Sequence, residues 1–385
     1  MSPRRRSVAI GLIALLALAG CTASAGIDGT RPTGIGNATT AAGPGGTPGP
    51  ATSSTPIPTD PTTTTSSPDP ASSTTVDAAA EPGHCPGGAE VLCEANTAAG
   101  SAYLRANVVG GTYGFRFVRV GGGVVASLNP ERVFYPASSV KVLAHLHAVR
   151  WAAAQPDPAD ALAVPIPVYA DPCAGGGAFR TEPLSAVLAA MMIDSDNQRA
   201  DAVLDYFGRE AVNATAREVV GTSNTVLAHR FGCGGPENDP ANQSTALDLS
   251  RLYEQVARGE VLNPEAARIF AGLMLGPPWR SLESSVAAEG EALGLDPEAV
   301  EGFQEGIALL YKAGWWGTNL SIGGLLGLPA VPCEGASPRE YAFAVFVAGA
   351  EAVADGFEVS DVVAVVLREE IRAALREWAA PSCLP

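Results

Sequence analysis

From Thr22 to about Gly83 the chain runs almost entirely in Thr, Ser, Pro, Gly and Ala, with hardly any large apolar side chain to bury. Such a segment cannot offset the entropy lost on ordering it, so no core can include it. It is expected to be a disordered tether, partly extended by its prolines. Folding of this 385-residue chain is thereby confined to His84–Pro385. That length suits one large domain, or two lobes sharing a core.

What precedes the tether reads as a leader. Met1–Gly20 carries three arginines, then an apolar run too short to span a bilayer, then small residues, which is the order of a secretory signal. Cys21 directly follows Leu18-Ala19-Gly20, and this junction resembles the bacterial lipobox. The resemblance implies that Cys21 is lipid-modified and becomes the mature N-terminus. The expected organisation is a leader at 1–20, a lipidated tether at 21–83 and a globular domain at 84–385, anchored on the extracytoplasmic face of a bacterial cell membrane.

A net charge of −16 argues against nucleic acid or an anionic membrane surface as the partner. Besides Cys21 there are six cysteines, an even number that in an exported domain favours disulfides. Six cysteines allow fifteen pairings; the expected one joins Cys85 to Cys93, Cys173 to Cys233 and Cys333 to Cys383. None forms a CxxC pair and the chain has four histidines, so no metal site is expected. His145 and His147 are two apart on an expected helix and face different ways.

Two strand-like runs within Thr112–Val133 flank Gly121–Gly123, which predicts a hairpin rather than a phosphate loop because no GK[ST] or GxGxxG follows. No cofactor is implied. Helical patterns follow at Ser138–Ala154, Leu184–Ile193, Gln198–Phe207, Ala246–Ala257 and Pro264–Leu273. Strand patterns return in ALLYKAGWW, TNLSIGGLLGL and EYAFAVFVAGA, the last apolar on both faces like a central strand. Val359–Trp378 repeats apolar residues at helical spacing. The fold class is therefore α+β: an antiparallel sheet built from both ends of the domain and packed on helices, with an inserted all-helical lobe.

Within VFYPASSVKVLAHL, Ser138 and Lys141 are three apart at a helix start, where Nζ can approach Oγ; Ser139 is out of that register. A serine needs a base to take its proton, and a lysine serves only if burial or a second cation lowers its pKa. Two further elements follow in order: Ser195-Asp196-Asn197 between two helical stretches, and Lys312-Ala313-Gly314 on a strand. Each triplet is common by chance. The ordered set is not.

SxxK, SDN and K-A-G in this order resemble the serine β-lactamase and penicillin-binding-protein superfamily, most closely the class A β-lactamase type. The resemblance covers about Ser101–Trp378. It implies Ser138 as the acylated nucleophile, Lys141 as its proton acceptor and Ser195 as the relay to the leaving nitrogen. Asn197 would bind the substrate amide and support Lys141. Lys312 would attract the substrate carboxylate and hold Lys141 less basic. Gly314 would let substrate backbone lie against the strand, and the N–H groups of Ser138 and Trp315 would form the oxyanion hole. The implied substrate is a β-lactam or a peptidoglycan peptide, and a monomer is expected.

Two departures stand out. Ala313 replaces the family's usual Thr or Ser, which removes a hydroxyl able to bind the substrate carboxylate. The class A glutamate of an ExxLN loop has no counterpart between Gly208 and Thr245, where Glu210, Glu218 and Glu237 all lack an asparagine four residues on. Glu237 is the best substitute, and a solvated loop carboxylate is its plainer reading. β-Lactam hydrolysis, D,D-peptidase-like or other serine hydrolase action with slow deacylation, and a non-catalytic lipoprotein of the same fold all stay open. His229 lacks a GxSxG elbow to serve. Asp194 and Asp196, at a break between helices, are expected to cap. Trp315 and Trp316 would wall the cleft or pack in the core.

Overall fold

The first element is a helix that apolar periodicity does not announce: α1 (Glu90–Asn107) buries Cys93, Asn96, Gly100, Ser101 and Leu104, a stripe of mostly small side chains. The computed structural model describes residues 85, 90–171, 173, 176–331 and 338–380. The leader, Cys21, the tether, Cys333 and Cys383 lie outside the described residues.

After β1 (Val108–Val109), the expected hairpin forms from β2 (Thr112–Arg119) and β3 (Val124–Leu128). A 3-10 turn at Ala137–Val140 then enters α2 (Lys141–Ala153), so Ser138 precedes the α-helix instead of lying on it. The next elements are α3 (Pro158–Leu162), β4 (Pro165–Asp171), β5 (Gly176–Pro183), α4 (Leu184–Ile193), α5 (Asn197–Phe207) and α6 (Arg209–Ala214), which runs on into a π-helical turn at Thr215–Val220. Then come α7 (Ala246–Ala257), α8 (Pro264–Gly272), β6 (Leu275–Gly276), α9 (Arg280–Ala292) and α10 (Pro297–Glu305). The chain returns to strands at β7 (Ala308–Trp316), β8 (Asn319–Leu328), β9 (Arg339–Ala348) and β10 (Ala352–Val353), then closes with α11 (Asp361–Val366) and α12 (Arg368–Ala379). Where one terminal helix was expected there are two, parted at Leu367.

Local chemistry sets the helix starts. Asp157, Asp196, Thr245, Asn263 and Asp296 each accept a backbone N–H of the first turn through the side chain. Proline follows directly in α3, α8 and α10, where its missing N–H has no partner to lose. The inserted lobe is not all-helical. Pro165 and Pro167 remove amide donors a helix needs, and β4 pairs antiparallel with β5 instead.

The main sheet has the order β3-β2-β9-β8-β7-β6, so β2 from one end of the domain pairs with β9 from the other. β9 shows why its sequence is apolar throughout. Ala342, Ala344 and Phe346 join the core shared with the lobe, while Tyr341, Phe343, Val345 and Val347 join a second core under α11 and α12. Two layers of helix thus cover one α+β sheet. Among the described residues no helix is long and apolar enough to cross a membrane.

The disulfides Cys85–Cys93 and Cys173–Cys233 are formed as expected. The second ties the β4–β5 connection to the loop after α6 and its π-helical turn. The third expected pair lies outside the described residues.

Candidate active site

The turn carrying Ser138 is held by one carbonyl. Pro136 O accepts from the Ser139 amide at 3.1 Å, from Ser139 Oγ at 2.8 Å and from Ser321 Oγ at 2.6 Å. Ser139 is thus a buried structural hydroxyl, as its register implied. Ala137 has φ +47°, a left-handed conformation that a non-glycine residue adopts only when its surroundings impose it. Strand β7 supplies that constraint. A side chain at Gly314 would lie 2.6 Å from Ser138 N and 2.7 Å from Pro136 O. On that face of Gly314 the space is taken by the turn that carries Ser138. Glycine is required so that strand and turn can touch, which brings the Ser138 amide to the strand one residue from Trp315.

Lys141 is the most constrained side chain of the set. It is fully buried, and Nζ donates to Ser195 O and to Asn197 Oδ1, both at 2.6 Å, with Ser195 Oγ at 3.5 Å. Ser195 turns its carbonyl toward the amine from a left-handed φ of +58°. Asp196 caps α5 and pairs with Arg199 at 2.6 Å, and Arg199 in turn holds Glu182 of β5 at 2.8 Å, so the SDN corner is pinned to the hairpin. Asp194 ends α4 through its backbone, its N–H donating to Ala190 O.

Burial is the larger force on Lys141 and the Lys312 charge the second; against the pull of Asp201 and Asp196, they bring its pKa down to about 7. Lys312 is itself buried on β7, donates to Ala313 O at 3.0 Å and is lowered to about 8 by desolvation. The second cation demanded by the chemistry is present. Among the described residues Ser138 Oγ makes no hydrogen bond; the bond to Lys141 that proton transfer needs is not formed in this state, and such bonds often tighten only with substrate bound.

Alternation along β7 sorts the third triplet. Lys312, Gly314 and Trp316 face the turn and lobe, whereas Ala313 packs toward the second core. Trp315 is 74% exposed, with Nε1 donating to Gly317 O, so core packing does not account for it. Trp316 abuts Gly235 in the loop across the cleft.

Sequence patterns missed two residues. Phe231 is buried with its ring centroid 5.1 Å from Lys141 Nζ. Its amide donates at 2.8 Å to Asp201, a fully buried carboxyl one turn beyond Asn197 whose Oδ2 has no partner among the described residues. Desolvation pushes Asp201 up to about 7. A buried Asp four residues after an Asn that binds lysine was the available signal. The described histidines have other partners: His145 contacts Phe270 O, His147 contacts Thr215 Oγ1, and His229 stacks on Tyr135. Among the described residues no cluster fit for a metal ion occurs.

A buried lysine held by Ser195 and Asn197 beside a second buried lysine, with Ser138 three residues ahead of it, sits on a two-layered α+β scaffold. The chain belongs to the β-lactamase enzyme family, whose model matches residues 101–350. Similar folds include the β-lactamase of Sphaerobacter thermophilus, with 19% identity, a TM-score of 0.52 and coverage of 76% of this chain and 98% of that one. A mutant of PBP-A, in an acyl-enzyme complex with penicillin G, gives 20%, 0.53, 74% and 96%. A class A β-lactamase from Mycobacterium abscessus gives 15%, 0.52, 74% and 100%. No curated protein matches the chain.

Proposed function

We propose that the protein is an exported serine hydrolase of the β-lactamase type, acylated at Ser138 by a β-lactam or a cell-wall peptide. The carrying observation is Lys141: buried, bonded to Ser195 and Asn197, and lowered to about 7 beside Lys312, hence available as a base near neutrality. In the proposed step Lys141 Nζ takes the Ser138 proton while Oγ attacks the carbonyl carbon. The carbonyl oxygen gathers charge facing the amides of Ser138 and Trp315. The C–N bond then breaks, and Ser195 gives its proton to the leaving nitrogen while taking the one Lys141 had accepted, which returns Lys141 to its neutral form. Lys312 faces the substrate carboxylate, and Asn197 the substrate amide.

Phe231 favours slow turnover of the acyl-enzyme. Its ring covers one side of Lys141 Nζ with apolar surface, and the loop offers no ExxLN glutamate. The protein would then act more as a penicillin-binding acyl acceptor than as a fast hydrolase. Mass spectrometry with a reporter penicillin tests both steps. A Ser138-dependent adduct that persists supports acylation without turnover, steady cephalosporin cleavage supports hydrolysis, and no adduct leaves a non-catalytic lipoprotein.

Placement outside the membrane, with Cys21 as lipid anchor and the tether as spacer, belongs to the same proposal and rests on the order of charge, apolar run, small residues and cysteine in Met1–Cys21. Incorporation of a labelled fatty acid that disappears in Cys21→Ala tests it.

A further inference from the structure

The cleft has a second wall that none of the assigned roles uses. Trp316 lies on the same face of β7 as Lys312 and Gly314, one two-residue repeat, roughly 7 Å, beyond the contact with Ser138. The opposing loop reaches the site at Gly232, where a side chain would lie 2.9 Å from Asn197 Nδ2. Three residues on, it meets the strand. A side chain at Gly235 would collide with Trp316 Nε1 and Cε2 and would lie 2.7 Å from Glu237 Oε2, so indole and carboxylate converge on one face of that glycine. Glycine is needed there to let them meet.

Glu237 is set in place by its own loop. Oε1 accepts the Gly235 amide at 2.8 Å, while Oε2 has no hydrogen-bond partner and the carboxylate no ion pair among the described residues. The indole N–H of Trp316 is also unpaired among the described residues. The charge is felt inside the site's framework: after desolvation, Glu237 is the cause that raises Tyr135, three residues before Ser138, to about 12. A carboxylate oxygen fixed by its own loop and left without a partner among the described residues, beside the indole's Nε1–Cε2 edge, is a site for an ammonium group.

We propose that Glu237 and Trp316 form a subsite for an ammonium on the acyl side of the substrate, so that the cleft selects zwitterionic substrates. The substrate carboxylate would face Lys312 at one end of the β7 face and its ammonium would face Glu237 at the other. This rests on the acylation proposed for Ser138 and assigns Glu237 to specificity in place of water activation.

Ampicillin and benzylpenicillin differ by one ammonium on the acyl side chain and serve as the probes. Binding of each is measured by calorimetry on Ser138→Ala, which cannot be acylated, with and without Glu237→Gln. Gln retains an acceptor for the Gly235 amide, and an unchanged Tm verifies that the loop is intact. The expected result is an ampicillin preference of roughly two- to fivefold that shrinks at high salt and vanishes in Glu237→Gln. Equal binding of the two, or a preference that survives Glu237→Gln, overturns the subsite. Acylation rates of the chain with Ser138 intact are measured alongside. A preference in binding without any acylation leaves the subsite standing and removes the proposed function, and no binding of either penicillin removes both.

Discussion

Lys141 Nζ lies 5.1 Å from the ring centroid of Phe231, an aromatic face against the amine that the chemistry needs as a base. The ring is held from behind, since the Phe231 amide donates to buried Asp201. Replacing Phe231 with Glu puts a carboxylate beside Lys141 in place of an apolar seal. The acyl-enzyme formed with a penicillin should then decay at least tenfold faster, followed as loss of the mass adduct. Decay no faster than in the parent would show that the ring does not limit deacylation.

Ser138→Ala should abolish labelling by a reporter penicillin. Ser139→Ala should keep the labelling and lose only the bond to Pro136 O, about 1 kcal/mol of stability read from denaturant unfolding. Equal labelling of the parent and Ser138→Ala would remove the mechanism.

The rate of acylation should rise with pH through about 7, because only neutral Lys141 accepts a proton, and fall again above about 8 as Lys312 loses the charge that faces the substrate carboxylate. Lys312→Met removes the second cause of the lowered value, so the midpoint should move to higher pH and the rate at pH 7 should fall. A midpoint that stays put would mean that Lys312 does not tune Lys141.

Asp201 binds its proton at about 7 in the fold against an ordinary 3.8. Between those values the folded state holds a proton that the unfolded chain has released, so this group makes stability fall as pH rises from about 4 to 7. Asp201→Asn keeps an acceptor for the Phe231 amide and removes the titration. It should match the parent below pH 4 and exceed it by about 4 kcal/mol at pH 8, measured by urea unfolding at both values. A difference independent of pH would count against a buried, titrating carboxyl.

The Cys173–Cys233 bond closes a loop with a sequence separation of 60. Replacing both cysteines with Ser should cost about 4 kcal/mol on the chain-entropy account. Because Cys233 is two residues from Phe231, the variant should also release its acyl group faster. Unchanged deacylation with lowered stability would confine the disulfide to a structural role.

Local pattern was enough for elements whose period is strong. The hairpin around Gly121–Gly123, the apolar β9, helices Ala246–Ala257 and Pro264–Gly272, and the order of the three catalytic-type triplets are all visible residue by residue, because burial on one face leaves a repeat of 3.6 or 2 and burial on both leaves an unbroken apolar run. Helix Glu90–Asn107 was not visible, since its buried stripe is Cys, Asn, Gly and Ser with one leucine; nor was the β4–β5 hairpin within the lobe. What only the tertiary structure decided is proximity across long separations. Gly314 makes room for the Ser138 turn, Phe231 reaches Lys141 from ninety residues away, and Gly235 lets Trp316 meet Glu237. Periodicity records which face of an element is buried, not what it is buried against. A lysine's pKa, a sealed amine and a charged cleft wall are properties of the partner, and partners are chosen by packing.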